Sequence, residues 1–222
     1  MDQEPILFCW SGGKDSAMAL DQLQRSGRHR VVALLTTVTD AYDRISMHGV
    51  RRALLERQAE ALGLPLQIVS ISPGCVNEEY ESKMRTALEV HQRQGVSQVA
   101  FGDIFLADLR AYREEKLARI GMQALFPIWK RETPTLIREF LERGFRAVVV
   151  CVDPKALDPS FAGREIDENF LCDLPAGVDP CGENGEFHSF VFDAPMFREP
   201  VRFERGEVVE RGGFWFCDLL PN

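Results

Sequence analysis

Six consecutive residues near the amino terminus, Ser11-Gly12-Gly13-Lys14-Asp15-Ser16, bring two glycines, a cation, a carboxylate and two hydroxyls into one run. An apolar stretch precedes them and a segment with helical spacing follows, so the run lies where a strand passes into a helix. Glycine lets the backbone approach a ligand closely and take positive φ. A helix start presents unpaired N–H groups and the positive end of its dipole. Ser11, Lys14 and Ser16 add hydroxyl donors and a cation. This chemistry holds an anion, and the length of the run suits pyrophosphate. The spacing excludes the G-x-x-x-x-G-K-[ST] loop, because Asp15 follows Lys14 and no glycine stands five positions before Gly13. No G-x-G-x-x-G dinucleotide fingerprint is present either. Asp15 has two readings, a ligand for Mg²⁺ or a metal-bound water, and a helix cap.

A second group of ionisable residues lies far along the chain. Glu183, Glu186 and His188 fall within six positions, among the glycines of Gly182-Glu183-Asn184-Gly185-Glu186-Phe187-His188. They read as the lip of a site, with a solvated turn as the plain alternative. If a strand begins there, Glu186 and His188 point to the same side. Gly102, Asp103 and Ile104 follow the fourth expected strand; Asp103 suits a metal, a ribose or a helix cap. Cys181 is a weak nucleophile candidate beside the simpler reading of a structural thiol. Arg110 and Glu114 are spaced to pair on a helix surface.

The elements that must position these residues alternate. Strands are expected at 5–10, 29–38, 65–71, 97–101 and 146–152, and helices at 14–26, 49–62, 78–94, 109–120 and 133–143. Such alternation implies an α/β fold with a five-stranded parallel sheet, Rossmann-like, and helices on both faces. Ligands of these sheets bind beyond the carboxyl ends of the strands. After Asp153-Pro154 the pattern changes to Asp, Pro and Gly, followed by two antiparallel-looking stretches, 187–192 and 201–216, the latter with a turn expected at Gly206. The expected division is therefore 1–153 for nucleotide binding and 154–222 as a small α+β unit for the substrate.

Three stretches together carry a resemblance. Ser-Gly-Gly-Lys-Asp-Ser is the signature of the PP-loop ATP pyrophosphatases, with their adenine-nucleotide α-hydrolase-like fold. The stretches 102–129 (GDIFLADLRAYREEKLARIGMQALFPIW) and 181–197 (CGENGEFHSFVFDAPMF) are similar to the diphthine–ammonia ligase (diphthamide synthase) family and its bacterial relatives. The resemblance implies an AMP-forming ligase that adenylates a carboxylate with ATP and passes it to ammonia, with Mg²⁺ as partner to the phosphates. It implies a cofactor site of Ser11, Gly12, Gly13, Lys14, Asp15, Ser16 and Gly102. Leu34 and Thr36 would join it at the end of the second strand, where adenine meets backbone groups, and Met47 and His48 from a Met-x-His stretch. Lys14, Asp103, Glu183, Glu186 and His188 are the implied catalytic set, and Asp15 the metal ligand. Where relatives often carry a cysteine three residues after the position of Glu114, this chain has Leu117.

The composition bounds the partners. Of 222 residues, 26 are Lys or Arg and 34 are Asp or Glu, a net charge of −8. That balance weighs against nucleic acid, whose affinity comes from neutralised phosphates. No apolar run approaches the roughly 18 residues of a membrane span. The six cysteines form no C-x-x-C pair, and no basic leader precedes the first apolar run, so the expectation is a cytoplasmic protein with reduced thiols. The acceptor is expected to bear a carboxylate, on a protein side chain or a small molecule. Alternatives in view are a cobamide-salvage intermediate as substrate, a tRNA-modifying PP-loop enzyme, and a nucleotide sensor without catalysis. A homodimer is among the assemblies the sequence leaves open.

Overall fold

The computed structural model describes residues 3–45 and 49–222. The amino-terminal sheet is built on β1 (Glu4–Cys9), which pairs in parallel with β2 (His29–Thr39) on one side and β5 (Gln98–Ala100) on the other. Parallel pairing continues from β2 to β4 (Leu66–Ile71) and from β5 to β6 (Gln123–Leu125). The two-residue β3 (Arg44–Ile45) pairs antiparallel with the end of β2. Five parallel strands thus run in the order β4-β2-β1-β5-β6. The chain's progress reverses between β1 and β5, and the crevice beyond such a reversal is where ligands bind in open α/β sheets.

Side chains alternate across this sheet, as a strand buried on both faces requires. Ile6 and Phe8 pack on one side with helices α1 (Lys14–Arg25), α2 (Arg52–Leu62) and α5 (Thr133–Glu142). Leu7, Ala33 and Leu35 pack on the other, with α3 (Asn77–Gln92) and α4 (Ala107–Ala118). The apolar stripes of the helices explain the assignment. In α1, Ala17, Leu20 and Leu23 fall on one face, and in α5, Leu136, Ile137 and Phe140 do the same.

A second, antiparallel sheet has the order β8-β7-β10-β9, formed by β7 (Arg146–Val152), β8 (Phe187–Asp193), β9 (Phe203–Arg211) and β10 (Phe214–Pro221). Here the structure departs from the sequence reading. The stretch 146–152 does not complete the parallel sheet; it lies between β8 and β10 in the second one. The fifth parallel strand is the three-residue β6. The seam between the sheets therefore precedes β7. The reason for the misreading is physical. Ala147 through Val152 are all buried, because β7 is flanked on both edges and covered on both faces, and an uninterrupted apolar run looks the same in either sheet. The hairpin turn also differs: it falls at Gly212-Gly213, with φ of 60° and 88°, while Gly206 lies inside β9. Between β7 and β8 in the chain, α6 (Glu168–Asp173) is capped by Asp167, whose carboxylate accepts from the Phe170 N–H at 2.7 Å.

The two sheets share one core. Val148, Val150, Phe187, Phe190 and Leu219 pack in the same cluster as Phe8, Leu20 and Leu54. An ion pair network secures the rim of this joint. Asp218 on β10 accepts from Arg44 at 2.9 Å and from Arg51 at 2.7 and 3.1 Å. Burial works to raise the Asp218 pKa, but the bonds from Arg51 and Arg44 prevail and hold it down at about 2. Among the described residues no helix is long and apolar enough to cross a membrane.

Because the folded state depresses this carboxylate, its contribution is present above the ordinary aspartate range and is lost as the pH falls towards 2. Asp218→Asn should lower unfolding stability by about 1–3 kcal/mol at neutral pH, the usual worth of bonds to charged groups. Urea titrations across pH should show the deficit shrinking on acidification. A constant deficit would contradict the linkage.

Candidate active site

The turn from β1 into α1 carries Ser11 to Ser16. Gly12 takes φ of 79°, a region closed to most side chains. A Cβ built there would sit 2.7 Å from the buried Gln58 Oε1. Gly13 is the N-cap of α1 and has no side chain to fill the space. Ser11 Oγ accepts from the Gly13 N–H at 3.3 Å and lies 3.1 Å from Ser16 Oγ, which donates to the Gly13 carbonyl at 2.9 Å. The loop is thus tied by its own hydroxyls, with the opening N–H groups of α1 gathered at its mouth.

Lys14 is almost wholly buried, with its ammonium 2.8 and 2.9 Å from the two carboxylate oxygens of Asp15. Burial works against the charge on Lys14, and the Asp15 carboxylate more than offsets it, so the ammonium is retained with a raised pKa. It also stands 5.4 Å from the centre of the Phe187 ring.

The segment 182–189 of the second sheet folds over this loop. The Val191 N–H donates to the Gly12 carbonyl at 2.9 Å, and the Lys14 N–H donates to Ser189 Oγ at 3.2 Å. Together they line one end of a cavity of about 920 Å³ whose other walls include α3 and α4, at the upper end of what ligand pockets of small-molecule enzymes span. Its lining includes Ser11, Gly13, Lys14, Asp15, Ser16, Thr36, Gly102, Asp103, Glu183 and His188. The residues expected to act together are therefore brought together from four separate stretches of chain. Gly102 explains how the strand-end of β5 comes so near: a Cβ there would lie 2.8 Å from the Ser16 nitrogen.

Some expected residues lie elsewhere. Leu34 is fully buried in the core with its N–H donated to the Pro65 carbonyl at 2.8 Å, and the cavity wall at the end of β2 is formed instead by Leu35, Thr36 and Thr37. Gly12 shapes the loop from beneath. Met47 and His48 lie outside the described residues.

Glu186 is buried, and its carboxylate accepts from the Asp179 N–H at 3.0 Å, the Asn184 N–H at 2.9 Å and the Asn184 side chain at 3.0 Å. Burial pushes its pKa up, yet these donors prevail and leave it below the ordinary range. It folds the turn that carries Glu183 and does not itself line the cavity.

Glu183 is different. One carboxylate oxygen accepts from the N–H groups of Ile104 and Phe105 at 2.9 and 3.3 Å. Burial, then the nearby Asp15 charge, raise its pKa to about 7. His188 is pushed down to about 4 by burial and by Lys14, so it is neutral at neutral pH. Asp103 faces Arg113, with nitrogen–oxygen distances of 3.0 and 3.2 Å, and Arg113 stacks over Phe101. Burial raises the Asp103 pKa against the pull of Arg113. The Cys181 thiol points to the Thr133 carbonyl at 3.5 Å, and burial raises its pKa, which suits a structural thiol. Arg110 pairs with Glu114 at 2.7 Å and lies over Trp129, away from the cavity wall.

Four contributors were not visible in the sequence: Gln58, Ser189, Arg113 and Asp179. Asp179 accepts from Thr133 Oγ1 at 2.6 Å and from the Cys181 N–H at 2.8 Å, fixing the start of the 182–189 segment. Only Ser189, two positions beyond Phe187 on an expected strand, left a signal that alternation could have used.

Comparison with known proteins now has a structure to attach to. The family model described as the diphthamide synthase N-terminal domain matches residues 6–124, and that of the C-terminal domain matches residues 132–219. The chain belongs to the diphthamide synthase family. Its relatives include proteins named diphthine–ammonia ligase from Bos taurus, 29% identical over 94% of this chain and 86% of that protein, and from Homo sapiens, 29% identical over 90% and 82%. One from Danio rerio is 29% identical over 90% of this chain and 86% of its own. One matched segment ends within β6 and the other begins just before α5, so the Ser11–Ser16 loop and the 182–189 segment come from different halves of the diphthamide synthase pattern.

A carboxylate that folds its own turn must be replaced at a cost in stability. Glu186→Gln turns one acceptor into a donor that faces an N–H group. Denaturant unfolding should show a loss of about 1–3 kcal/mol. An unchanged midpoint would remove this structural role from Glu186.

Proposed function

We propose that this chain is an ATP-dependent, AMP-forming amide ligase whose acceptor is a diphthine-like carboxylate and whose nitrogen source is ammonia. The observation that carries the reading is the convergence of the Ser11–Ser16 loop and the 182–189 segment on one cavity. The names of the relatives support the substrate pair. Neither the tRNA-modifying reading nor the cobamide-salvage reading gains support from the family match or the relatives.

In the proposed reaction, the β- and γ-phosphates of ATP lie on the N–H groups of Gly13 and the start of α1, beside Lys14. The acceptor carboxylate attacks the α-phosphorus. A carboxylate oxygen–phosphorus bond forms, the bond from the α-phosphorus to the bridging oxygen breaks, and pyrophosphate leaves. Lys14 and the helix start stabilise the departing negative charge. The acceptor is already ionised, so this step needs no base. Ammonia then attacks the acyl carbon, AMP leaves, and a proton passes from nitrogen to the protein.

Glu183 suits that last transfer. It lines the cavity, and a pKa of about 7 places it near the optimum for a general base at neutral pH. Glu186 acts through the turn it folds. Neutral His188 can accept or donate a hydrogen bond on the cavity wall without adding charge.

Among the described residues no group of three or more His, Cys, Asp or Glu side chains is arranged to hold a metal. Magnesium needs no such cage: it characteristically uses one or two carboxylates together with substrate phosphates. Asp15, on the cavity wall, fits that role as a single carboxylate shared with phosphate oxygens, and the ion would there offset phosphate charge.

Three measurements test the reading. With α-labelled ATP, ammonium and a diphthine-bearing protein acceptor, the expected products are AMP, pyrophosphate and amide; ADP as product would overturn it. In the same system Lys14→Ala should weaken ATP binding about tenfold or more, the loss expected for charge-assisted bonds. At fixed free-ammonia concentration, amide formation should rise as pH passes through about 7, because Glu183 accepts a proton only when ionised. Glu183→Gln should abolish that inflection while ATP binding stays within about threefold, which is under 0.7 kcal/mol. A retained inflection would remove Glu183 from the proton transfer.

A further inference from the structure

Gln58 projects from α2 and is completely buried. A buried primary amide is costly unless its donors and acceptor are satisfied. Here each is used. Oε1 accepts from the Trp10 indole N–H at 2.9 Å, and Nε2 donates to the Gly12 carbonyl at 3.0 Å and the Val191 carbonyl at 2.6 Å. The Gly12 carbonyl receives a second bond from the Val191 N–H at 2.9 Å. Two donors therefore hold one carbonyl of the phosphate loop against the protein interior.

The consequence lies on the other side of the same peptide. In a trans peptide the carbonyl of Gly12 and the N–H of Gly13 point in opposite directions, and no cis peptide is present among the described residues. Pinning the carbonyl inward turns the Gly13 N–H outward, to the side where Ser11 Oγ and the cavity lie. Glycine at 12 is free to adopt either orientation of this peptide, so something other than its own φ/ψ preference must choose one. We propose that Gln58 is a positioning residue that fixes the Gly12–Gly13 peptide with its N–H directed at the β- and γ-phosphates, and that it locks β8 to the loop through its bond to the Val191 carbonyl. This rests on the reading of Ser11–Ser16 as the pyrophosphate site.

The geometry also explains why glycine at 12 and glutamine at 58 go together. A Cβ at position 12 would strike Gln58 Oε1 at 2.7 Å. The glycine is required both for its positive φ and for the approach of the amide.

The probe is inorganic pyrophosphate, with ATP in parallel, bound to the full chain. Gln58→Met keeps the volume and removes all three bonds; Gln58→Glu keeps the acceptor for Trp10 and sets a carboxylate against two carbonyls. Both should weaken pyrophosphate binding about tenfold or more, with folded protein verified by a cooperative melt. Folded Gln58→Met that binds pyrophosphate as the parent does would overturn the proposal. So that the outcome does not depend on a variant that folds, the parent is also titrated with pyrophosphate while its amide resonances are followed. The Gly13 N–H should shift downfield and the Gln58 carboxamide should stay in place; an unmoved Gly13 resonance would equally overturn it. If the parent itself fails to bind pyrophosphate, the assignment of the loop falls, and with it the reading on which this inference stands.

Discussion

The Gly12 carbonyl accepts from the Val191 N–H at 2.9 Å and from Gln58 at 3.0 Å, and because Gln58 also donates to the Val191 carbonyl, the Ser11–Ser16 loop of one sheet is fastened to a strand of the other. Everything at the site is referred to this point. The loop alone is a turn between β1 and α1 with two glycines and little intrinsic preference for one shape. Once its carbonyl is held, the Lys14 N–H meets Ser189, the Lys14 side chain lies over Phe187, and Glu183 reaches the N–H groups beyond β5. Each bond is individually modest, on the order of 1 kcal/mol net. Together they bring the edges of the two sheets onto one cavity.

The Asp218 network serves the same joint from the outside. Arg44 and Arg51 flank the segment between β3 and α2, and both converge on a carboxylate from β10. A two-residue strand such as β3 has too few ladder bonds to hold itself in place. Charge from the second sheet adds to its ladder with β2, and a Cβ at Gly49 would strike Phe216 at 2.8 Å, so Gly49 is also pressed against β10. The sheets are coupled at the core through apolar packing, at the rim through ions, and at the reaction centre through backbone bonds.

Much of this was legible in the chain before folding. The Ser11–Ser16 run, the strand before it and the helix after it follow from composition and spacing, and so does the return of a polar, glycine-rich segment near residue 185. What was illegible has particular causes. β6 has three residues and no periodicity to detect. β7 is apolar throughout because it is buried on all sides, and that pattern does not say which sheet it joins. Gln58 stands on an ordinary amphipathic helix, where a glutamine reads as solvated; its burial is decided by β8, 133 residues later. Asp179 and Arg113 likewise act on partners that only the tertiary fold supplies.

Glu183 and Glu186 share nearly the same sequence context, yet their electrostatics are opposite. Both are carboxylates in a glycine-containing turn, and both are partly or wholly withdrawn from water. Glu186 has three N–H donors on its two oxygens and is held below the usual range. Glu183 is raised to about 7 by burial and then by the Asp15 charge, against the pull of two backbone donors on one oxygen. The separation is therefore set by how many donors each oxygen meets and by which neighbour it faces, not by burial alone. An arrangement that divides two similar acids in this way assigns one to architecture and leaves the other able to exchange a proton near neutrality. The fully bonded Glu186 builds the turn, and the turn delivers Glu183 to the cavity with its proton affinity already set.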